Sequence, residues 1–278
     1  MELSRTENHP AVSVIIPTYN RENLITRSIR SVLCQSYEDI EVIVVDDGSE
    51  DKTDELVRGL NDERIKYIRL EENKGAGVAR NVGIQESIGK FIAFQDSDDE
   101  WLPENLEKHM HIFEKGSPNI GVVYSDMQRV LKDNTVKYHR SPTIAPGRLI
   151  DPTTSFYQVC MLGIQSAVIR RECLDQVGYF NESLPSLEDL ELFIRLSRHC
   201  HFYHIPEPLV RYHENEGLSK DMRAKLHSRK LLLKLYFHEL IGDNKNFLVR
   251  EFISVHLGAC YETIRRRGLA VDRGRSGS

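Results

Sequence analysis

Apolar residues along this chain come in short β-branched runs separated by stretches with a helical period. Residues 12–17 (VSVIIP) and 40–45 (IEVIVV) are continuous enough to be strands covered on both faces; the first is stopped by proline and the second runs into Asp46, Asp47 and Gly48. Between them, residues 22–33 place Leu24, Ile25, Ile29, Val32 and Leu33 at helical spacing, and residues 51–60 do the same with Leu56, Val57 and Leu60. The alternation continues with a strand over 65–70, a helix over 77–87, a strand over 90–95 and a helix over 103–115. Such a series predicts an α/β fold, a Rossmann-like and mostly parallel sheet with helices on both faces. The second half is less regular. Residues 121–125 and 165–169 read as strands, 132–150 as a polar excursion, 187–198 (LEDLELFIRLSR) as an amphipathic helix and 209–213 as a strand or extended arm.

Ligands of open α/β sheets bind outside the carboxyl ends of the strands. That rim carries every polar cluster of the first hundred residues: Thr18-Tyr19-Asn20, Asp46-Asp47-Gly48-Ser49, the segment from Asn73 to Asn81, and Asp96-Ser97-Asp98-Asp99. The last is the most informative, because a strand delivers three carboxylates to one exposed turn. Such a cluster repels itself unless a cation sits in it, and an oxygen-only site of one or two carboxylates suits Mg²⁺ or Mn²⁺ carrying substrate phosphates. In isolation, DSDD would serve equally as a solvated loop leading to the helix opened by Pro103. Asp46 to Ser49 would likewise serve as a turn and helix N-cap. In NKGAGVARN (residues 73–81), Gly75 and Gly77 permit close backbone approach and Arg80 supplies a permanent cation.

Composition narrows the class. With 40% hydrophobic and 28% charged residues and a net charge of −5, the 278-residue chain is an ordinary globular protein rather than a disordered or nucleic-acid-binding one. The charge is uneven: residues 219–278 hold 13 Lys+Arg against 6 Asp+Glu. Five scattered cysteines without C-x-x-C spacing argue against a disulfide framework and a zinc site, and for a reducing compartment. The polar first eleven residues and the lack of a long apolar run point to a cytoplasmic protein, with attachment to the inner membrane surface left open.

Taken in order, VSVIIPTYN, SVLCQSYEDIEVIVVDDGSEDKT, NKGAGVARNVGI, GKFIAFQDSDDEW and LEDLELFIRLS resemble the family 2 glycosyltransferases, over residues 12–213. The resemblance implies a GT-A fold and an inverting, divalent-metal-dependent transferase that uses a nucleotide-diphosphate sugar, with a UDP-sugar expected. It places Thr18, Tyr19 and Asn20 around the nucleoside and gives Asp47 a hydrogen bond to the base, a task suited to a carboxylate because it only accepts. It gives Arg80 to the nucleotide or to the DSDD cluster, and Asp96 and Ser97 to the ribose or metal shell. Asp98, Asp96 and His213 become the metal set, with Mn²⁺ or Mg²⁺ as cofactor. Asp99 and Trp101 would face the donor sugar, Trp101 being equally suited to the core. Glu188 and Asp189 match the second acidic block, with Asp189 as the general base toward the acceptor; without the family, both acids would simply open a helix.

The expected organisation is a catalytic domain over 1–218, with a nucleotide-binding half over about 11–100 and an acceptor-binding half over about 101–218, followed by a C-terminal helical extension over 219–278. Basic amphipathic helices over 220–240 and 247–267 are suited to a membrane surface, a homodimer interface or a cover for the catalytic domain. Residues 213–221 (HENEGLSKD) would form a lid. The expected partners are a nucleotide-sugar donor and a saccharide or lipid-linked acceptor of polysaccharide or glycolipid synthesis, with no nucleic acid. Two rival classes remain: a non-catalytic sugar-nucleotide or carbohydrate-binding module, and a sugar nucleotidyltransferase, whose glycine-rich N-terminal loop is missing from VSVIIPTYNREN.

Overall fold

The computed structural model describes residues 9–144, 162–214 and 222–240. The chain divides into two compact units, residues 1–231 and 232–278, and of the second only 232–240, the end of the last helix, is described.

The first half alternates as its apolar runs dictate: β1 (Val12–Thr18), α1 (Ile25–Leu33), β2 (Ile40–Asp46), α2 (Thr53–Arg58), β3 (Ile65–Arg69), α3 (Ala76–Gln85) and β4 (Phe91–Phe94). These strands lie in the order β3-β2-β1-β4, all parallel. Strand side chains alternate between faces. Val12, Val14 and Ile16 of β1 therefore join Ile25, Ile29 and Val32 of α1 in one core, while Ile43 and Val45 of β2 meet Ala79 of α3 in another. Burial on both faces is why β1 reads as an unbroken apolar run, with all seven positions buried. On α3, a Cβ at Gly83 would lie 2.4 Å from Cγ2 of Ile15, so the helix seats on β1 only because that position has no side chain.

The second half contains β5 (Glu100–Trp101), α4 (Asn105–Lys115), β6 (Ile120–Val130), β7 (Val136–His139), a 3₁₀ turn (Ile164–Ser166), β8 (Ala167–Arg170), α5 (Arg171–Val177), α6 (Glu188–Ser197), β9 (His201–His213) and α7 (Met222–Leu240). The sheet continues from β4 as β8-β6-β9-β5, with β7 on β6; β8 runs antiparallel to both neighbours, and β6 and β9 are parallel.

Three features differ from the sequence expectation. Strand β9 starts at His201 rather than at 209, because Pro206 and Pro208 hide it. The ladder accommodates them by jumping from the pair Ser125/Ile205 to Asp126/Pro208. Strand β7 lies inside the segment read as a polar excursion, and α5 is a seven-residue helix too short to show a clear period. The expected helix over 247–267 and most of the expected lid lie outside the described residues. Among the described residues, no helix is long and apolar enough to cross a membrane.

Candidate active site

The carboxyl ends of β1 and β4, the loop after β2, the N-terminal half of α3 and the start of α6 line one cavity of about 1030 Å³. This is at the upper end of the roughly 300–1,000 Å³ usual for small-molecule sites. Thr18 and Tyr19 line it; the Thr18 hydroxyl is buried without a partner among the described residues, and Tyr19 is 40% exposed. Asn20, in the left-handed region at φ 50°, braces the rim instead. Its N–H donates to Ser49 Oγ (2.8 Å), and its Oδ1 accepts from the Glu50 N–H (2.9 Å). Asp47 reaches across to the loop before α3, accepting from the backbone N–H of Lys74 (2.7 Å) and of Gly75 (2.8 Å). Gly75 offers its N–H from φ 94°, a conformation that favours glycine. A carboxylate has about four acceptor positions, so Asp47 retains capacity for a ligand on the cavity side. Burial raises its pKa, and the two amides oppose the rise.

Helix α1 holds the acidic turn by its carbonyls. Arg27 Nη2 donates to Asp98 O (2.5 Å) and Ser28 Oγ to Asp96 O (2.9 Å), while Asp96, Ser97 and Asp98 line the cavity. Burial and the Asp96 charge raise the Asp98 pKa; Arg21, 3.9 Å away, opposes them. Asp99 turns inward. It is 1% exposed, accepts from the His213 N–H (2.8 Å) and from Gln165 Nε2 (3.1 Å), and its pKa is raised by burial, Asp96 and Asp98. Trp101 is likewise a core residue, packed among Leu106 and Met110 and donating from Nε1 to Gln165 O (2.9 Å). Neither therefore faces a donor sugar. Strand β5 brings β9 beside this turn, so His213 also lines the cavity, with Nε2 paired to Glu100 Oε1 at 2.7 Å. Among the described residues, no three His, Cys, Asp or Glu side chains converge into a ready-made metal site. Asp96, Asp98 and His213 thus share a cavity but do not form a cage. Two carboxylates with an excess of negative charge fit a hard cation that takes its remaining ligands from phosphate and water.

Arg80 joins this turn to the other half of the molecule. Its side chain is 7% exposed; Nη2 donates to Asp96 Oδ1 (2.9 Å), Nη1 donates to Glu188 Oε1 (2.6 Å), and the guanidinium lies 5.5 Å from the Phe180 ring centroid. Burial works against its charge, but Asp96, Glu188 and Asp189 outweigh it and raise its pKa. The next residue, Asn81, pairs with the Phe180 backbone in both directions (Nδ2 to O 3.0 Å, N–H to Oδ1 2.8 Å) and donates to Glu182 Oε1 (2.9 Å). Two adjacent residues of α3 thereby fix where α6 begins. Leu187 precedes that helix at φ 61°, and Asp189 opens onto the cavity. Burial and Glu188 push the Asp189 pKa up to about 7, against Arg80 and the Leu190 N–H.

The structure thus brings Thr18, Tyr19, Asp47, Arg80, Asp96, Ser97, Asp98, Glu188, Asp189 and His213 to one cavity and uses Asn20 to brace its rim. Sequence reasoning missed Arg21, Arg27, Asn81 and Gln165. Arg21, directly after TYN, and Asn81, at the end of NKGAGVARN, had a signal in standing at the rim.

A parallel sheet with its polar rim over one cavity, extended by a mixed second half, is the GT-A arrangement of sugar-transferring enzymes. The model of glycosyl transferase family 2 matches residues 13–174, and the chain belongs to that family. It is 28% identical over 239 residues to an uncharacterised glycosyltransferase of Rickettsia felis, covering 84% of this chain but only 39% of that protein. It is 34% identical over 172 residues to the UDP-Glc:alpha-D-GlcNAc-diphosphoundecaprenol beta-1,3-glucosyltransferase WfgD of Escherichia coli, covering 60% of this chain and 63% of WfgD. Residues 1–349 of TarS from S. aureus, solved with UDP-GlcNAc, superpose with a TM-score of 0.70 at 26% identity, covering 83% of this chain and 66% of that one. The mannosyltransferase PcManGT of Pyrobaculum calidifontis, solved with GDP-Man and Mn²⁺, shares the fold with a TM-score of 0.62 at 19% identity, covering 97% of this chain and 76% of that one.

Proposed function

We propose that the protein is an inverting glycosyltransferase that moves a sugar from a UDP-sugar to an acceptor hydroxyl in polysaccharide or glycolipid synthesis. The observation that carries this reading is the Arg80 bridge, which puts the acidic turn and Asp189 in one cavity while keeping them apart (Nη2 to Asp96 2.9 Å, Nη1 to Glu188 2.6 Å). Thr18, Tyr19 and Asp47 receive the nucleoside. Asp98 and Asp96 would hold Mn²⁺ or Mg²⁺ on the diphosphate, with His213 as a third candidate; the ion supplies neutralisation of the charge that develops there. Arg80 orients Asp96 and Glu188 and is not itself needed as an acid.

On the acceptor side, Asp189 removes the proton of the acceptor hydroxyl as that oxygen bonds to the anomeric carbon. The bond from that carbon to the β-phosphate oxygen breaks, the nucleoside diphosphate leaves with the electron pair, and attack from the opposite face inverts the centre. A pKa of about 7 suits a base that must be ionised near neutral pH yet accept a proton. We assign residues of about 11–100 to the donor, those of about 101–218 to the acceptor, and 219–278 to a helical extension; the likeness to WfgD and TarS supports a UDP-sugar, and the likeness to WfgD a lipid-linked acceptor.

The test measures thermal shifts with UDP, GDP and their sugars, with Mn²⁺ or EDTA, followed by transfer assays using the donor that binds. A Mn²⁺-dependent shift with a UDP-sugar, lost in Asp98→Ala, and a product of inverted configuration are the expected results. Donor binding with no transfer to any acceptor would instead favour a sugar-nucleotide-binding module.

A further inference from the structure

Part of the cavity wall comes from α7, a helix beyond the stretch matched by the family model. Lys225 and His227 line the cavity there, and Ser228, fully buried, accepts the Ser186 N–H at 3.1 Å, which seats α7 against the segment leading to Glu188 and Asp189. All of these residues belong to the first compact unit.

The other cations of this cavity are engaged. Arg80 joins Asp96 and Glu188, Arg21 stands 3.9 Å from Asp98, and Lys74 stands 3.7 Å from Glu72. Lys225 differs: it is half-buried, and among the described residues no carboxylate pairs with it. The neighbouring acids of the cavity do not fill this role, since Glu188 is held by Arg80, Glu182 accepts from Asn81, and Asp189 accepts from its own helix. A half-buried ammonium that has no carboxylate partner among the described residues and lines a cavity that His227 also lines calls for an anion. Because α7 is braced on Ser186, in the segment that leads to Asp189, the anion is assigned to that side of the cavity.

We propose that Lys225 and His227 form an acceptor subsite for a phosphate group, so that the enzyme selects a phosphate-bearing glycosyl acceptor over the neutral glycoside. This rests on the reading of Asp189 as the base that faces the acceptor.

The full chain, saturated with UDP and Mn²⁺ to occupy the donor site, would be titrated with glucose 1-phosphate and separately with methyl glucoside. Glucose 1-phosphate should bind more tightly, and Lys225→Met should weaken it about tenfold, as for loss of one charge-assisted contact. Lys225→Arg should restore most of the affinity, and neither variant should change the affinity for UDP or for methyl glucoside. Failure of the wild type to prefer the phosphate would overturn the proposal. So would equal weakening of both glycosides, which marks a structural role, or weakening of UDP, which gives the cation to the donor diphosphate. Because the titration reads binding, an absence of transferase activity would sink the catalytic reading while leaving this one to stand or fall separately.

Discussion

The two sides of the cavity are built differently. On the side proposed for the nucleotide, loops that follow successive strands brace one another through backbone groups: Asp47 to the Lys74 and Gly75 amides, Asn20 to Ser49 and Glu50, Ser28 to the Asp96 carbonyl. On the side proposed for the acceptor, Glu188 and Asp189 sit at the start of a helix tied to Arg80 and, through the Phe180 segment, to Asn81, about a hundred residues earlier. Backbone bracing satisfies each group locally and leaves Asp96 and Asp98 of the turn lining the cavity. Bracing by one buried guanidinium makes the acids on either side depend on the same charge, and the Asp189 pKa stays raised because burial and Glu188 outweigh that charge.

The comparison can be broken most severely at the base. Asp189→Asn should lower kcat by about 10²–10⁴-fold while leaving UDP affinity unchanged, measured by initial rates and titration. The same variant should be more stable than the wild type at pH 8. Folding raises the Asp189 pKa from 3.8 to about 7, so its stabilising contribution is present below 3.8 and is lost as pH rises through 7. At about 1.36 kcal/mol per pH unit, the gain has an upper limit of about 4 kcal/mol, readable from urea melts.

Removing the bridge should cost stability rather than add it. Arg80→Met leaves Asp96 and Glu188 uncompensated, for a loss of about 3–5 kcal/mol in the same melts, and Arg80→Lys should not recover it, because a single ammonium cannot span both carboxylates. A milder perturbation sharpens the contrast by pH. Below about 7, kcat/KM for the acceptor should fall about tenfold per pH unit, a limb that UDP binding should not share. The smallest effect is expected at Asn81→Ala, which removes the pairing with Phe180 and Glu182. A stability loss of about 1–3 kcal/mol should accompany a rise in acceptor KM with donor affinity preserved.

This difference also explains what could be read in the sequence. Strands buried on both faces announce themselves as β-branched runs, and the rule that ligands gather at their carboxyl ends selects Thr18, Asp47, Asp96 and Asp98 without any knowledge of distant contacts. The part of Arg80 as a bridge was invisible, because it depends on Glu188 arriving from a distant helix. Asp99 was misread for the opposite reason, and Trp101 took the core place that was one of its two expected ones. They adjoin the acidic turn in sequence, but strand alternation and the Gln165 contacts take both inward. Strand β9 was hidden by prolines that a register jump tolerates.

Helix α3 carries Arg80, Asn81 and Gly83 within one turn, each with a fixed direction: into the bridge, onto Phe180 and against Ile15. One inserted or deleted residue would rotate everything beyond it by about 100°. The stretch from Arg80 to Gly83 therefore tolerates no change in length, and among related chains gaps should be missing from it.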